Sequence, residues 1–141
     1  MATVTSKITL TSTDLTSDAL DLSVTHNITA THNTGIARSN ITSTAKTAAT
    51  GQVTLYTGGE FGSPLYLYVH NTATNHATDN IVSIYSDTDY TGDMSAAEKA
   101  EVIYLKGKEW AFVPVYSANT LKAFASTSGT VIEWMIFGTE A

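Results

Sequence analysis

Apolar and polar residues alternate with a period of two along most of the chain. This period places one residue type on each face of a β-strand. Short segments with the pattern, bounded by turn-forming residues, predict strands at 3–10, 20–29, 35–42, 53–57, 65–70, 81–85, 102–105, 110–115, 121–124 and 131–137. About ten short strands with frequent turns are typical of two packed sheets. We therefore predict an all-β fold, an antiparallel β-sandwich or jelly roll forming a single domain over residues 1–141.

Two local features modify this pattern. Ser95 and Glu98 have the spacing of a capping box, which predicts a short helix over residues 95–101 as the one helical element. Pro114 interrupts an apolar run and has no N–H to donate to a neighbouring strand. It therefore predicts an edge strand or a bulge.

Large apolar side chains are sparse before residue 52 and dense after it. The predicted core consists of apolar residues of the later strands: Leu65, Leu67, Val69, Val82, Ile84, Ile103, Leu105, Trp110, Phe112, Trp134 and Ile136. Alternation is expected to leave Glu109 and Glu133 facing away from this core. The Thr-rich residues 1–50 have little core of their own, and we interpret them as an extended arm or as edge strands.

Composition narrows the classes of function. Of 141 residues, 43% are hydrophobic and only 14% are charged, while Thr occupies about one position in six. The net charge of -6 opposes a role in neutralising the phosphates of nucleic acid. The absence of Cys excludes a disulfide framework and a thiolate site. The start of the chain lacks a signal-peptide pattern and no run is long enough for a membrane helix, so we expect synthesis in the cytoplasm and no membrane partner.

An acidic segment suggests one metal site. Asp87, Asp89, Asp93 and Glu98 occupy positions of an EF-hand loop, and calcium prefers such carboxylate ligands. An EF-hand, however, needs a helix before the loop, where the pattern here predicts a strand. The favoured interpretation is an acidic turn without metal, and calcium binding is the alternative.

Other chemistry-bearing residues fit no catalytic motif. Four histidines form two pairs at a spacing of six, which is too long for a single metal ion on one strand, so they are interpreted as polar loop residues: His26, His32, His70 and His76. No nucleophile, zinc or phosphate-binding motif occurs. We therefore predict a protein that is not an enzyme and has no cofactor.

Seven tyrosines are a further candidate feature. Tyr66 and Tyr68 are two residues apart and are expected to share one face of a strand. Aromatic rings with polar tips suit sugar recognition, although they are also common in ordinary strands and interfaces. A carbohydrate-binding surface is thus one interpretation, and packing is the other.

The last third of the chain resembles small structural proteins in the virions of tailed bacteriophages. The resemblance lies in residues 101–114, 121–125 and 131–137, which read as a strand, a Gly turn, an aromatic strand with Pro114, and a final strand containing Glu133 and Trp134. It extends loosely over residues 64–137. The Thr-rich residues 10–15 and 35–38 are similar to proteins of marine phages.

The resemblance implies a non-enzymatic virion protein used in many copies, expected as a symmetric homo-oligomer. The favoured function is a capsid decoration or cement protein that binds the major capsid protein. A tail, baseplate or fibre subunit that adheres to the host is the alternative, and a free carbohydrate-binding module is the second alternative. Residues 1–50 form the candidate interface, with Tyr66, Tyr68 and Trp110 as anchor residues.

Overall fold

The computed structural model describes residues 2–13, 20–45, 48, 50–74, 80–86 and 101–141. Their backbone is all-β and antiparallel, as predicted, with eleven strands and no helix in these ranges. The chain divides into two compact units, Met1–Thr31 and His32–Ala141. The helix predicted over residues 95–101 lies outside the described residues except for Glu101, which begins a strand.

The first unit is a long two-stranded hairpin, here named the arm. Its strands are β1 (Ala2–Ser12) and β2 (Leu20–Ala30), paired without interruption from Ala2 opposite Ala30 to Ser12 opposite Leu20. Thr and Val, which recur in both strands, are β-branched and favour the extended backbone. The sequence pattern therefore predicted the strands, and the unbroken alternation fixes their register.

The second unit is a sandwich of two sheets. Its strands are β3 (His32–Asn33), β4 (Ala37–Ile41), β5 (Val53–Tyr56), β6 (Gly62–Asn71), β7 (Val82–Ser86), β8 (Glu101–Leu105), β9 (Trp110–Val115), β10 (Leu121–Ala125) and β11 (Thr130–Thr139). One sheet has the order β5-β10-β7-β8. The other has the order β3-β11-β6-β9, with β4 also paired to β11.

The hydrophobic core lies between these two sheets. Alternate residues of β6 are fully buried, among them Leu65, Leu67 and Val69, as predicted. Further predicted core residues that the structure buries are Val82, Ile84, Leu105 and Ile136. Ile103 and Trp134 are partly buried and pack against the same cluster. Burial of these side chains supplies the main stabilisation of the sandwich.

The sequence predicted the wrong face of β9 as the buried one. Ala111, Val113 and Val115 pack against the core, whereas Trp110 is 57% exposed and Phe112, on the same face as Trp110, lies outside the core cluster. Every position of this strand is apolar, so the alternation that marks the buried face in other strands is missing. The prediction for Pro114 was right, because β9 is an edge strand of the five-stranded sheet.

A buried asparagine links the end of β6 to its neighbours. Asn71 is fully buried, and its Nδ2 donates hydrogen bonds to the carbonyl oxygens of Asn80 (2.5 Å) and Leu105 (3.1 Å). Its Oδ1 accepts a hydrogen bond from the Ala73 N–H at 3.2 Å. These bonds satisfy backbone groups around the start of β7 and the end of β8, where the sheets meet connecting loops.

Candidate functional site

The arm has one apolar face and one polar face. Directly opposite pairs on the apolar face include Val4 with Ile28, Ile8 with Val24, and Leu10 with Leu22. The opposite face carries Thr, Ser and Asn together with a single Lys and a single Asp: Thr3, Thr5, Lys7, Thr9, Thr11, Asp21, Ser23, Thr25, Asn27 and Thr29. The arm is therefore an amphipathic ribbon, with aliphatic side chains on one face and polar side chains on the other.

Much of the apolar face is open to solvent. Ile8 is 42% exposed, Leu10 49%, Leu22 44% and Val24 53%. Ile28 and Ala30, at the end of β2, are buried. A two-stranded ribbon is at best marginally stable in water, since it has no second layer of its own to cover an apolar face. The exposed aliphatic pairs are therefore a candidate interaction surface.

The three predicted anchor residues all lie on the outer face of the five-stranded sheet, the face turned away from the core. Tyr66 and Tyr68 share that face of β6, as predicted. Tyr68 is paired with Phe112 of β9, and His70 with Trp110. No hydrogen bond within the described part of the chain engages the hydroxyls of Tyr66 and Tyr68 or the indole N–H of Trp110.

Three aromatic rings stack on this face. Tyr66 lies 5.6 Å from Phe112 and 5.7 Å from Phe137 between ring centroids, and Phe112 lies 5.7 Å from Phe137. The rings are nearly parallel, with interplanar angles of 1° to 19°. Such offset stacking adds to the stabilisation that burial gives, and it holds the rings in fixed positions.

A row of side chains crosses four strands beside the rings. The pairing places Arg38 of β4 opposite Glu133 of β11, Glu133 opposite His70 of β6, and His70 opposite Trp110 of β9. Arg38 Nε is 3.4 Å from Glu133 Oε1, and His70 Nδ1 is 3.7 Å from Glu133 Oε2. We name these four residues the cross-strand row.

Sequence reasoning found only part of this surface. The period of two placed Tyr66 and Tyr68 together, and the same signal could have added His70. Arg38 and Glu133 are far apart in sequence, and only the register of β4 on β11 brings them together. Glu133 does face away from the core as expected, and its two carboxylate oxygens lie near Arg38 and His70.

The other singled-out residues do not converge on a site in the described part of the chain. Asp87, Asp89, Asp93, Glu98 and His76 lie outside the described residues. Within those residues, no group of three or more His, Asp or Glu side chains could hold a metal ion. His26 is paired with Ser6 on the arm, and His32 packs against Phe61 at 6.0 Å. The carboxylate of Glu109 accepts a hydrogen bond from the Lys106 N–H at 2.8 Å and so closes a turn.

One buried tyrosine has a shifted pKa. Tyr85 is almost completely buried, and its hydroxyl donates a hydrogen bond to Gln52 Oε1 at 2.7 Å. Burial raises the pKa of Tyr85 above the usual 10.0. Its ring meets Phe124 edge-on at 5.9 Å. These contacts give Tyr85 a structural role in the four-stranded sheet.

Among the described residues, no helix is long and apolar enough to cross a membrane. Comparison with known proteins found no match to this chain among protein families, curated proteins or solved structures. Two surfaces of the described residues are the candidates for function: the apolar face of the arm and the outer face of the five-stranded sheet.

Proposed function

We propose that the chain is a non-enzymatic structural subunit of a bacteriophage virion, a decoration or cement protein that binds the major capsid protein through its arm. The observation that carries this proposal is the exposed apolar face of the arm. Four aliphatic side chains on the two paired strands of the arm, Ile8, Leu10, Leu22 and Val24, remain 42% to 53% exposed. A shell subunit with an apolar groove would bury them.

The geometry of the arm suits such a contact. Each strand has eleven residues, so the ribbon is about 36 Å long and about 10 Å wide. Among the described residues, the apolar face bears no Lys, Arg, Asp or Glu, since Lys7 and Asp21 belong to the opposite face, and one polar pair, Ser6 opposite His26, interrupts the aliphatic pairs. Docking the aliphatic pairs therefore removes apolar surface from water without burying an ammonium, guanidinium or carboxylate group, which is the favourable case for a permanent contact.

The composition supports the same proposal. A low charged fraction and a high Thr content leave few long charged side chains to keep neighbouring copies apart. The resemblance of residues 101–137 to virion proteins of tailed phages agrees with this class. A symmetric oligomer on the particle follows as part of the proposal.

Mass spectrometry of density-purified particles tests the class of function. If the chain is a virion protein, it should co-purify with the major capsid protein in a constant ratio through successive gradients. A low copy number, together with co-purification with tails and not with heads, would support the alternative of a tail, baseplate or fibre subunit. Absence of the chain from washed particles would contradict both.

A further inference from the structure

We infer that the outer face of the five-stranded sheet binds a neutral sugar, a hexopyranose unit of a glycan, at the cross-strand row. Trp110 would stack on the apolar side of the sugar ring, and Glu133 with Arg38 would bind two of its hydroxyl groups. This site is separate from the arm, so the inference stands whether or not the chain is a virion protein.

The polar half of the row has both a donor and an acceptor. The two oxygens of Glu133 face different partners, Arg38 at 3.4 Å and His70 at 3.7 Å. The Glu133 side chain is 35% exposed and that of Arg38 is 67% exposed, so both can reach a ligand. A carboxylate accepts from one hydroxyl while a guanidinium donates to its neighbour, which is the pattern that a vicinal diol offers.

The charge of the row favours a neutral ligand. Arg38 and Glu133 form an ion pair, so the row has no net charge from these two side chains. An anionic or cationic ligand would have to compete with one of the two partners. A polyol can form hydrogen bonds with Arg38 and with Glu133 while their ion pair stays intact. Such hydrogen bonds to charged groups are stronger than those between neutral groups.

The apolar half of the row is one open aromatic ring. Trp110 is 57% exposed, on an edge strand and directly opposite His70. Tyr68 is its diagonal neighbour across β6 and β9, about 7–8 Å away, and its hydroxyl has no hydrogen bond within the described part of the chain. An exposed indole face next to a tyrosine hydroxyl can bind a hydrated ligand such as a sugar.

Nuclear magnetic resonance tests the inference because the chain has two tryptophans and hence two indole N–H signals. The probes are methyl glycosides and short oligomers of glucose, galactose, mannose and N-acetylglucosamine, added to the purified full chain at up to about 10 mM to detect millimolar binding. At least one probe should shift the Trp110 signal. The Trp134 signal should stay in place, since that N–H donates to Ser39 Oγ at 3.0 Å on the core side.

Three variants separate this site from other surfaces. Trp110→Ala and Glu133→Gln should each weaken binding of the best probe by about tenfold or more, measured on the proton signals of the probe itself because Trp110→Ala removes the indole reporter. Tyr104→Ala is the matched control, because Tyr104 is 55% exposed on β8 in the other sheet, and it should leave binding unchanged. Thermal unfolding of each variant shows that it is folded.

Three results would each overturn the inference. The first is that no probe moves the Trp110 signal, and the second is that binding survives in Trp110→Ala. The third is a concentration-dependent dimer, measured by sedimentation, that Trp110→Ala dissociates, because the face would then be a protein interface.

Discussion

Ile8 of β1 lies directly opposite Val24 of β2, and the two side chains remain 42% and 53% exposed on the apolar face of the arm. Opposed aliphatic residues of this kind stabilise a sheet when a second layer covers them. The described residues of the arm form a two-stranded sheet and supply no such layer themselves. The pair therefore marks the surface on which the proposed assembly function depends.

The double substitution Ile8→Thr and Val24→Thr tests the arm. Thr keeps the β-branch that favours a strand but makes the face polar. We expect the sandwich to unfold at the same denaturant concentration as in the wild type, while incorporation into particles falls at least tenfold. The control is Thr9→Ala with Ser23→Ala, the directly opposite pair on the polar face, which should incorporate normally. Equal incorporation of both double variants would contradict the role of the apolar face.

The two tryptophans should differ in their contribution to stability. Trp134 packs against the core and donates to Ser39 Oγ, so Trp134→Ala should lower the free energy of unfolding by about 3 kcal/mol. Trp110 is mostly exposed, and Trp110→Ala should lower it by less than about 1 kcal/mol. Denaturant titration followed by circular dichroism measures both. A large loss in Trp110→Ala would mean that β9 buries its other face.

Asn71 should be essential for the sandwich. Asn71→Ala leaves the carbonyl groups of Asn80 and Leu105 and the N–H of Ala73 without their partner, and we expect a loss of about 3 kcal/mol. Asn71→Asp keeps the size of the side chain but replaces the donating amide with a carboxylate, which repels both carbonyl oxygens at neutral pH. Its stability should partly recover as acid protonates that carboxylate. Wild-type stability in both variants would contradict this account of the buried amide.

Tyr85 should give the sandwich a specific sensitivity to alkali. Because its folded pKa is raised above 10.0, the unfolded chain loses the Tyr85 proton first as the pH rises. The stabilisation is thus complete below about pH 10 and falls above it, by up to about 1.4 kcal/mol per pH unit. Tyr85→Phe should lose about 1 kcal/mol at neutral pH with its bond to Gln52, and should show a shallower decline above pH 10. Identical alkaline slopes for the two proteins would rule out this role.

The sequence was a good guide wherever one face of a strand was polar. In β6 the alternation placed Leu65, Leu67 and Val69 in the core and Tyr66 and Tyr68 outside it, and the structure confirms both. The same signal predicted the arm strands, in which Thr alternates with aliphatic residues.

The sequence was a poor guide where both faces of a strand are apolar or where a site depends on register. In β9 the large ring of Trp110 favoured the wrong face, because pairing with β6 and not side-chain size determines which side is buried. Arg38 and Glu133 meet through the pairing of β4 with β11, two strands separated by most of the chain. Pairing between distant strands cannot be read from local periodicity.

Electron cryo-microscopy of intact particles tests the central claim most directly, since it shows where the chain lies and what its arm contacts. We predict many copies at regular positions on the head, with β1 and β2 lying against the major capsid protein and Ile8 and Val24 buried in that contact. The account would be contradicted if no copies lay on the particle, or if the apolar face of the arm remained open to solvent in every copy.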